Sequence, residues 1–177
     1  MLSMLPTMFS TAMLLMPIAD PAASIPSPSH ALLTAPDRRV RAADVIVQAM
    51  LTEGLRRSPT FASLMTALNR RDVIVYIERS MTLPRETMGR LTIVPGVRDQ
   101  RYLRIQIRAD LSRGESIALI GHEMTHAMEI ADEPEVRGPE GVIKLYERIG
   151  HSSGGLHVYD TVAAQDAGRK VRREMTG

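Results

Sequence analysis

The chain contains no cysteine and no tryptophan, and aromatic residues make up only 3% of its 177 positions. The absence of cysteine excludes a disulfide scaffold, a cysteine-ligated metal and a cysteine nucleophile. Any metal ion would therefore be held by histidine, aspartate or glutamate. The formal net charge of +2 gives no electrostatic reason to expect a nucleic-acid partner. The length suits one domain built around one hydrophobic core.

A long hydrophobic run is also missing. The mostly apolar stretch from Met8 to Ile18 is as long as the h-region of a signal peptide and too short to cross a bilayer comfortably. Small residues that suit a signal peptidase follow it, although no Lys or Arg precedes it. We therefore predict a signal peptide over 1–23, export to the periplasm or the extracellular space, and no stable membrane span. If the segment is not a signal peptide, the expected location is the cytoplasm.

Residues 24–39 are rich in Pro, Ser and Ala, which is typical of a linker, so the folded domain is expected over 40–177. There, helical and extended hydrophobic patterns alternate, which predicts an α+β fold with a short β-sheet. The first helix is expected to present Val45, Ala49 and Leu51 or Leu55 near one stripe, and Thr60 is expected to cap the second helix. Helices are predicted over 42–58, 61–70, 113–131, 139–150 and 160–175, strands over 72–80, 89–96 and 100–110, and a loop over 151–159.

The segment "GHEMTH", at 121–126, lies within one of these helices. Ser112 and Glu115 form an S-x-x-E capping box, which independently predicts a helix that begins near Arg113. The motif is therefore expected on a helix that ends near Ala131, before the next proline.

Helical residues four apart lie on the same face, so the imidazoles of His122 and His126 can bind one cation. Glu123 is rotated by about 100° from His122 around the helix axis. Its carboxylate would then lie beside the metal, where it can take a proton from a metal-bound water and pass it to the leaving amine. Each specified residue of the H-E-x-x-H motif thus has a chemical role.

A catalytic zinc site normally has three protein ligands and one open position, so a third ligand is needed. Glu129 is on the correct face, but its Cα is about 10 Å along the axis from that of His122, at 1.5 Å per residue. It would reach the metal only with strain, and it could instead hydrogen-bond a ligand imidazole. Asp160, at the entry to a later helix, is geometrically easier. We expect one zinc ion with Asp160 as the third ligand and Glu129 as the alternative.

The loop before Asp160 contains further polar side chains. His157 and Tyr159, with His151 earlier in the loop, are candidates to donate a hydrogen bond to the oxyanion that forms when a carbonyl is attacked. The alternative interpretation is that they are ordinary polar loop residues.

The sequence resembles the zincin metallopeptidases, because "HEMTH" matches their H-E-x-x-H signature at every fixed position. The order of predicted elements is also similar: helices, a small sheet, an active-site helix and a C-terminal helix. The resemblance implies that His122 and His126 are zinc ligands, that Glu123 is the catalytic base, and that the substrate is a peptide or protein.

Comparison of motifs narrows the kind of zincin. Metzincins carry Gly and His where this chain has Glu129 and Asp132, so this chain is not a metzincin. Peptide deformylases use a cysteine ligand, which this chain lacks. Gluzincins take a glutamate from a second helix, and Asp160 makes this chain resemble a small gluzincin or the variant of that plan with an aspartate ligand.

The predicted function is zinc-dependent hydrolysis of peptide bonds. By analogy with such folds, "QRYLRIQIR" (100–108), or the hairpin that it forms with "GRLTIVP" (89–95), is expected to bind substrate as an added β-strand. One alternative is a zincin-like protein that binds zinc without turnover. Another is a helical interaction module in which the two histidines only contribute to packing.

Overall fold

The structure, a computed structural model, describes residues 13–14, 38–94, 100–152 and 158–177. The predicted signal peptide and linker lie outside these ranges, except at 13–14 and 38–39. Within them, five helices and seven strands form a fold of the predicted α+β class. No helix in these ranges is both long enough and apolar enough to cross a membrane.

The strands form two sheets. The strands are β1 (Met13–Leu14), β2 (Val40–Ala42), β3 (Val73–Ser80), β4 (Gly89–Val94), β5 (Arg101–Arg108), β6 (His151–Ser152) and β7 (Val158–Asp160). The larger sheet has the order β2-β3-β5-β4, in which β2, β3 and β5 are parallel and β4 is antiparallel to β5. The smaller sheet, β1-β7-β6, is antiparallel.

The larger sheet corrects one prediction about substrate binding. β5 is paired with β3 on one side and with β4 on the other, so its backbone groups are already used and it cannot accept an added strand. β4 lies at the end of the sheet. Of the two predicted binding elements, only β4 therefore lies at an end of the sheet, and there β1 of the same chain packs against it.

The helices pack in layers on this sheet. They are α1 (Val45–Arg57), α2 (Pro59–Leu68), α3 (Arg113–Ala131), α4 (Pro139–Ile149) and α5 (Val162–Thr176). α3 packs against β3, β4 and β5, and both α2 and α5 pack against α3. The helix that carries the H-E-x-x-H motif is thus the central element of the fold, covered on one side by the sheet and on the other by helices.

Several predicted elements differ in detail. A short strand, β2, precedes α1, and two short strands replace the predicted loop over 151–159, with 153–157 outside the described residues. Strands of two or three residues are too short to show a hydrophobic period, and they exist here because a neighbouring strand pairs with them. The prediction of strand to Pro95 and Gly96 also reaches outside the described residues.

Of two predictions about the first helices, one holds in part and one is wrong. α1 buries Val47, Met50 and Leu51, so Leu51 of the predicted stripe is buried, whereas Val45 is 62% exposed and Leu55 is 38% exposed. α2 begins at Pro59, and the Ser58 hydroxyl accepts a hydrogen bond from the backbone N–H of Phe61. A proline suits the first turn because its missing N–H costs nothing there, so the cap lies before it rather than at Thr60.

The core lies between the sheet and α3. Along β5, Leu103, Ile105 and Ile107 are fully buried and alternate with more polar residues, as predicted for a half-buried strand. Each such side chain contributes about 1.5–3 kcal/mol when it is fully buried. The other residues that line this core include Val73, Val75, Ile77, Leu91, Ile117, Leu119, Ile120, Met124 and Ala127.

Both ends of α3 are held. At its beginning the predicted capping box is present, with Ser112 accepting from the Glu115 N–H and the Glu115 carboxylate accepting from the Ser112 N–H. At its end the buried guanidinium of Arg101, on β5, donates to the carbonyl oxygens of Ile130, Ala131 and, beyond the helix, Glu133. The last turn of α3 contains no basic residue of its own. Arg101 supplies the positive charge that a helix C-terminus favours.

Candidate metal centre

Two elements bring three candidate metal ligands together. His122 and His126 project from successive turns of α3, and Asp160 is the last residue of β7. The two histidine Nε2 atoms are 3.1 Å apart, and Asp160 Oδ1 is 3.4 Å from His122 Nε2 and 3.5 Å from His126 Nε2. All three side chains are buried, and together they could hold a metal ion. We call these three ligand atoms the triangle.

Close packing of α3 and α5 makes the triangle possible. A Cβ atom added to Gly121 would lie 2.9 Å from Val171, and one added to Gly168 would lie 3.2 Å from the His122 Cβ. Two glycines at the contact therefore let the helices approach until α5 touches the ligand side chain itself. The approach also brings the beginning of α5, and with it Asp160, over the middle of α3.

The second nitrogen of the His126 imidazole is also held. His126 Nδ1 lies 2.9 Å from Glu129 Oε2 and 3.2 Å from the Tyr146 hydroxyl. Partners of this kind set the orientation and tautomer of a ligating histidine, so that Nε2 of His126 is directed into the triangle.

Glu129 has both carboxylate oxygens engaged outside the triangle. Its Oε1 accepts a hydrogen bond of 2.6 Å from the Thr161 hydroxyl, and its Oε2 accepts one of 3.0 Å from Tyr146 and contacts His126 Nδ1. The sequence left open whether Glu129 reaches the metal or hydrogen-bonds a histidine. In the structure it contacts His126 outside the triangle, and Asp160 lies in the triangle. Burial, followed by the neighbouring Glu129, raises the pKa of Tyr146, so its hydroxyl remains a donor.

The electrostatics of the cluster favour a cation. Burial lowers the pKa of His126, but hydrogen bonds with Asp160 and Glu129 outweigh this effect and raise it to about 10. Burial and the charge on His126 lower the pKa of His122. Burial raises the pKa of Asp160, but its hydrogen bond with His126 and the charge of His122 outweigh burial and lower it. One positive charge is thus stabilised within the cluster, and a metal ion that binds there would displace that proton.

Glu123 lies next to His122 along α3 and is 1% exposed. Its Oε1 has no hydrogen-bond partner among the described residues. Burial raises its pKa from 4.5 to about 8, with the charge of His126 acting in the opposite direction. A buried carboxylate without a partner costs free energy, so a group of this kind points to a role other than stability.

Gly89, the first residue of β4, makes room for Glu123. A Cβ atom at this position would lie 2.6 Å from Glu123 Oε1 and 3.0 Å from Leu119 Cδ1. The edge strand of the larger sheet therefore begins directly against the candidate base. The sequence contained a signal for this contact, because glycine within a strand often marks the close approach of another group.

The candidates for oxyanion stabilisation have different positions. Tyr159 is half-buried and stacks on Tyr146, with ring centroids 6.3 Å apart. Tyr146 contacts Nδ1 of His126, so it lies on the side of that ring away from the triangle. His157 lies outside the described residues. His151 is exposed and pairs with Asp160 across β6 and β7. The oxyanion role of these residues stays a prediction.

Sequence reasoning missed the residues that surround the ligands. His126 contacts Tyr146 on α4, Asp160 contacts Gln165 on α5, and Glu123 lies against Gly89 on β4. No local pattern joins these three contacting residues to the H-E-x-x-H motif. Thr161 is the N-cap of α5, since its hydroxyl accepts from the Ala164 N–H. The same hydroxyl also donates to Glu129.

Comparison with known proteins adds no relative. No protein-family model, no curated protein and no solved structure matches the chain.

Proposed function

We propose that the protein is a zinc-dependent peptidase of the zincin type, in which His122, His126 and Asp160 hold one zinc ion and Glu123 is the general base. The observation that carries the proposal is the buried carboxylate of Glu123, next to His122 along α3, whose Oε1 has no hydrogen-bond partner among the described residues. The motif contains only residues of α3, and Asp160, from a different element, lies close enough to be a third ligand.

The dimensions of the triangle support zinc as the metal. Ligand atoms about 2.0–2.1 Å from a tetrahedral zinc ion lie about 3.3–3.4 Å from one another. The observed separations of 3.1, 3.4 and 3.5 Å are close to this value. Two imidazoles and one carboxylate suit zinc better than calcium or magnesium, which prefer oxygen ligands throughout. Three protein ligands leave one position open, as a catalytic site requires.

Each side chain then has a distinct task. A bound zinc ion would supply Lewis acidity, because it lowers the pKa of a coordinated water toward neutrality and polarises a carbonyl oxygen. Glu123 would accept the proton and return it to the leaving amine, and a carboxyl that titrates near neutral pH suits both steps. Glu129 and Tyr146 would keep His126 oriented. Asp160 would balance the positive charge.

β4 is the element best placed to hold a peptide substrate. It lies at the end of the larger sheet, and its first residue, Gly89, lies against Glu123. An extended peptide that pairs with β4 as an additional strand would pass beside the base, and it would replace β1, which packs against β4 in this structure. The proposed substrate is therefore a peptide or protein segment in extended conformation.

One observation favours a second function, metal binding without turnover. His122, His126, Glu123 and Asp160 are 2%, 1%, 1% and 0% exposed. A closed site of this kind is typical of a metal that stabilises a fold rather than one that meets a substrate.

Zinc analysis and peptide cleavage separate the two functions. The full chain, purified without affinity metal, is expected to contain about one zinc, and His126→Ala is expected to contain none. Glu123→Gln should retain zinc and lose cleavage of a mixed peptide library, while Glu140→Gln, an exposed carboxylate on α4, should retain both. Zinc in the wild type without any cleavage would establish the second function, and a wild type that takes up no zinc would refute both.

A further inference from the structure

The two oxygens of the Asp160 carboxylate have different environments. Oδ1 belongs to the triangle and also accepts a hydrogen bond of 2.7 Å from the Thr161 backbone N–H. Oδ2 accepts a hydrogen bond of 2.9 Å from Nε2 of Gln165. The Gln165 side chain, on α5, thus holds the oxygen that is not directed at the triangle.

Gln165 is itself held between two elements. Its Nε2 also lies 3.4 Å from Nε2 of His151, whose backbone pairs with Asp160 across β6 and β7. A glutamine amide nitrogen has two hydrogens, so one can be donated to Asp160 and the other to a neutral His151. The carboxylate can only accept, so the contact with Asp160 requires the nitrogen, and not the oxygen, of the amide to face it, which defines the orientation of the amide.

This arrangement has a consequence for metal coordination. A carboxylate can bind a metal through one oxygen or through both. An N–H donor on Oδ2 stabilises that oxygen where it is and opposes its rotation toward the metal. With one oxygen from Asp160 and one nitrogen from each histidine, a fourth position stays available for water.

We propose that Gln165 is a positioning residue that restricts Asp160 to coordination through Oδ1 and so keeps the site four-coordinate, with three protein ligands and one water. The proposal rests on metal binding at the triangle, which is part of the proposed function, but it does not depend on peptide hydrolysis. Without the amide donor, Oδ2 is expected to turn toward the metal and bind in addition to the water, which raises the coordination number to five, and the carboxylate is expected to be less well ordered in the metal-free protein.

Cobalt binding to the full chain tests the proposal. Co²⁺ replaces zinc, and its visible absorption is intense in four-coordinate sites and weak in sites of higher coordination. Wild type is expected to bind one Co²⁺ with the intense spectrum. Gln165→Met has a side chain of similar length without a donor, and it should lose the intense band and bind Co²⁺ about 10- to 100-fold more weakly, the usual effect of removing a partner of a metal ligand.

Two further variants make the result decisive. Gln165→Asn keeps the amide but withdraws it by one methylene, so it should change the spectrum in the same direction. Asp166→Asn, an exposed residue on the same helix whose contact is with Arg169, should behave as wild type. A wild type that binds no Co²⁺ would refute the metal site itself. A wild type with the intense band, together with an unchanged spectrum and affinity in folded Gln165→Met and Gln165→Asn, would refute the role of Gln165 alone.

Discussion

Substitution of Gly89 by alanine tests whether the position of Glu123 matters as the structure indicates. The added Cβ would lie 2.6 Å from Glu123 Oε1, whereas ordinary contact begins at 3.4 Å, so the carboxylate must retreat by about 0.8 Å. Leu119, at 3.0 Å from the same Cβ, limits relief by movement of the strand. The three atoms nearest to the new methyl group belong to Glu123 and Leu119, and none belongs to a candidate metal ligand.

The expected effect on catalysis is large, and the effect on stability is moderate. A displacement of about 1 Å in a reacting group costs on the order of 100-fold in rate, which corresponds to about 2.7 kcal/mol of transition-state stabilisation. We therefore expect kcat/KM for peptide cleavage to fall by about 10- to 100-fold. Overpacking should lower the free energy of unfolding by about 1–3 kcal/mol. Zinc content should remain that of the wild type.

Gly114→Ala is the matched control, because its Cβ would have no atom within 4 Å and it lies on the same helix as Glu123. It should retain activity and gain up to about 1 kcal/mol in stability from helix propensity. The measurements are kcat/KM, zinc per chain and urea unfolding for both variants. Full activity in Gly89→Ala would refute the placement of Glu123 as the base, and a loss of zinc that parallels the loss of activity would show that the ligands, not the base, had moved.

Three other predictions follow from the contacts around α3. Glu129→Gln should weaken zinc binding by about 10- to 100-fold, because the partner of His126 Nδ1 loses its charge. Titration against a chelator measures the zinc affinity, and an unchanged affinity would contradict this prediction. Arg101→Met should lower the free energy of unfolding by about 1–3 kcal/mol, because the carbonyl oxygens of Ile130, Ala131 and Glu133 lose a charged donor, although those of Ile130 and Glu133 keep a backbone N–H; a loss below about 0.5 kcal/mol in urea would show that water replaces the guanidinium. In metal-free protein, the pKa of Glu123 is about 8 in the folded chain and 4.5 in the unfolded chain. The stability that follows from this difference is therefore complete below pH 4.5 and is lost as the pH rises through 8. Glu123→Gln should therefore reduce the fall in unfolding free energy between pH 5 and 9 by an amount of the order of 4 kcal/mol, and equal pH slopes in both proteins would contradict the buried position of this carboxyl.

The helix at the centre of the protein was readable from sequence because its signals are local. The capping box of Ser112 and Glu115 lies within one turn, and the structure has α3 over the predicted residues 113–131. The spacing of His122 and His126 places them on one face of any helix that contains them. The α+β class could be predicted for the same reason, since each longer element carries its own hydrophobic period.

The buried face of α1 and the ends of the shorter elements could not be predicted from such local signals. The buried face of α1 depends on where α2 and the sheet lie, and the periodicity of a 13-residue helix is compatible with more than one stripe. The strands β2, β6 and β7 have two or three residues, and only their pairing defines them. A period cannot be measured over so short a length.

The surroundings of the metal ligands were decided by the tertiary structure alone. Sequence left the third ligand open between Asp160 and Glu129, and the packing of α5 on α3 brings the first into the triangle and the second behind His126. Gln165 and Gly89 reach the cluster from separate elements and have no spacing that relates them to the motif. The sequence by itself determined which helix carries the two candidate histidine ligands and Glu123, because hydrogen bonds along a helix are local. Only the folded chain decided what surrounds it, because those contacts depend on how closely α3, α5 and β4 pack.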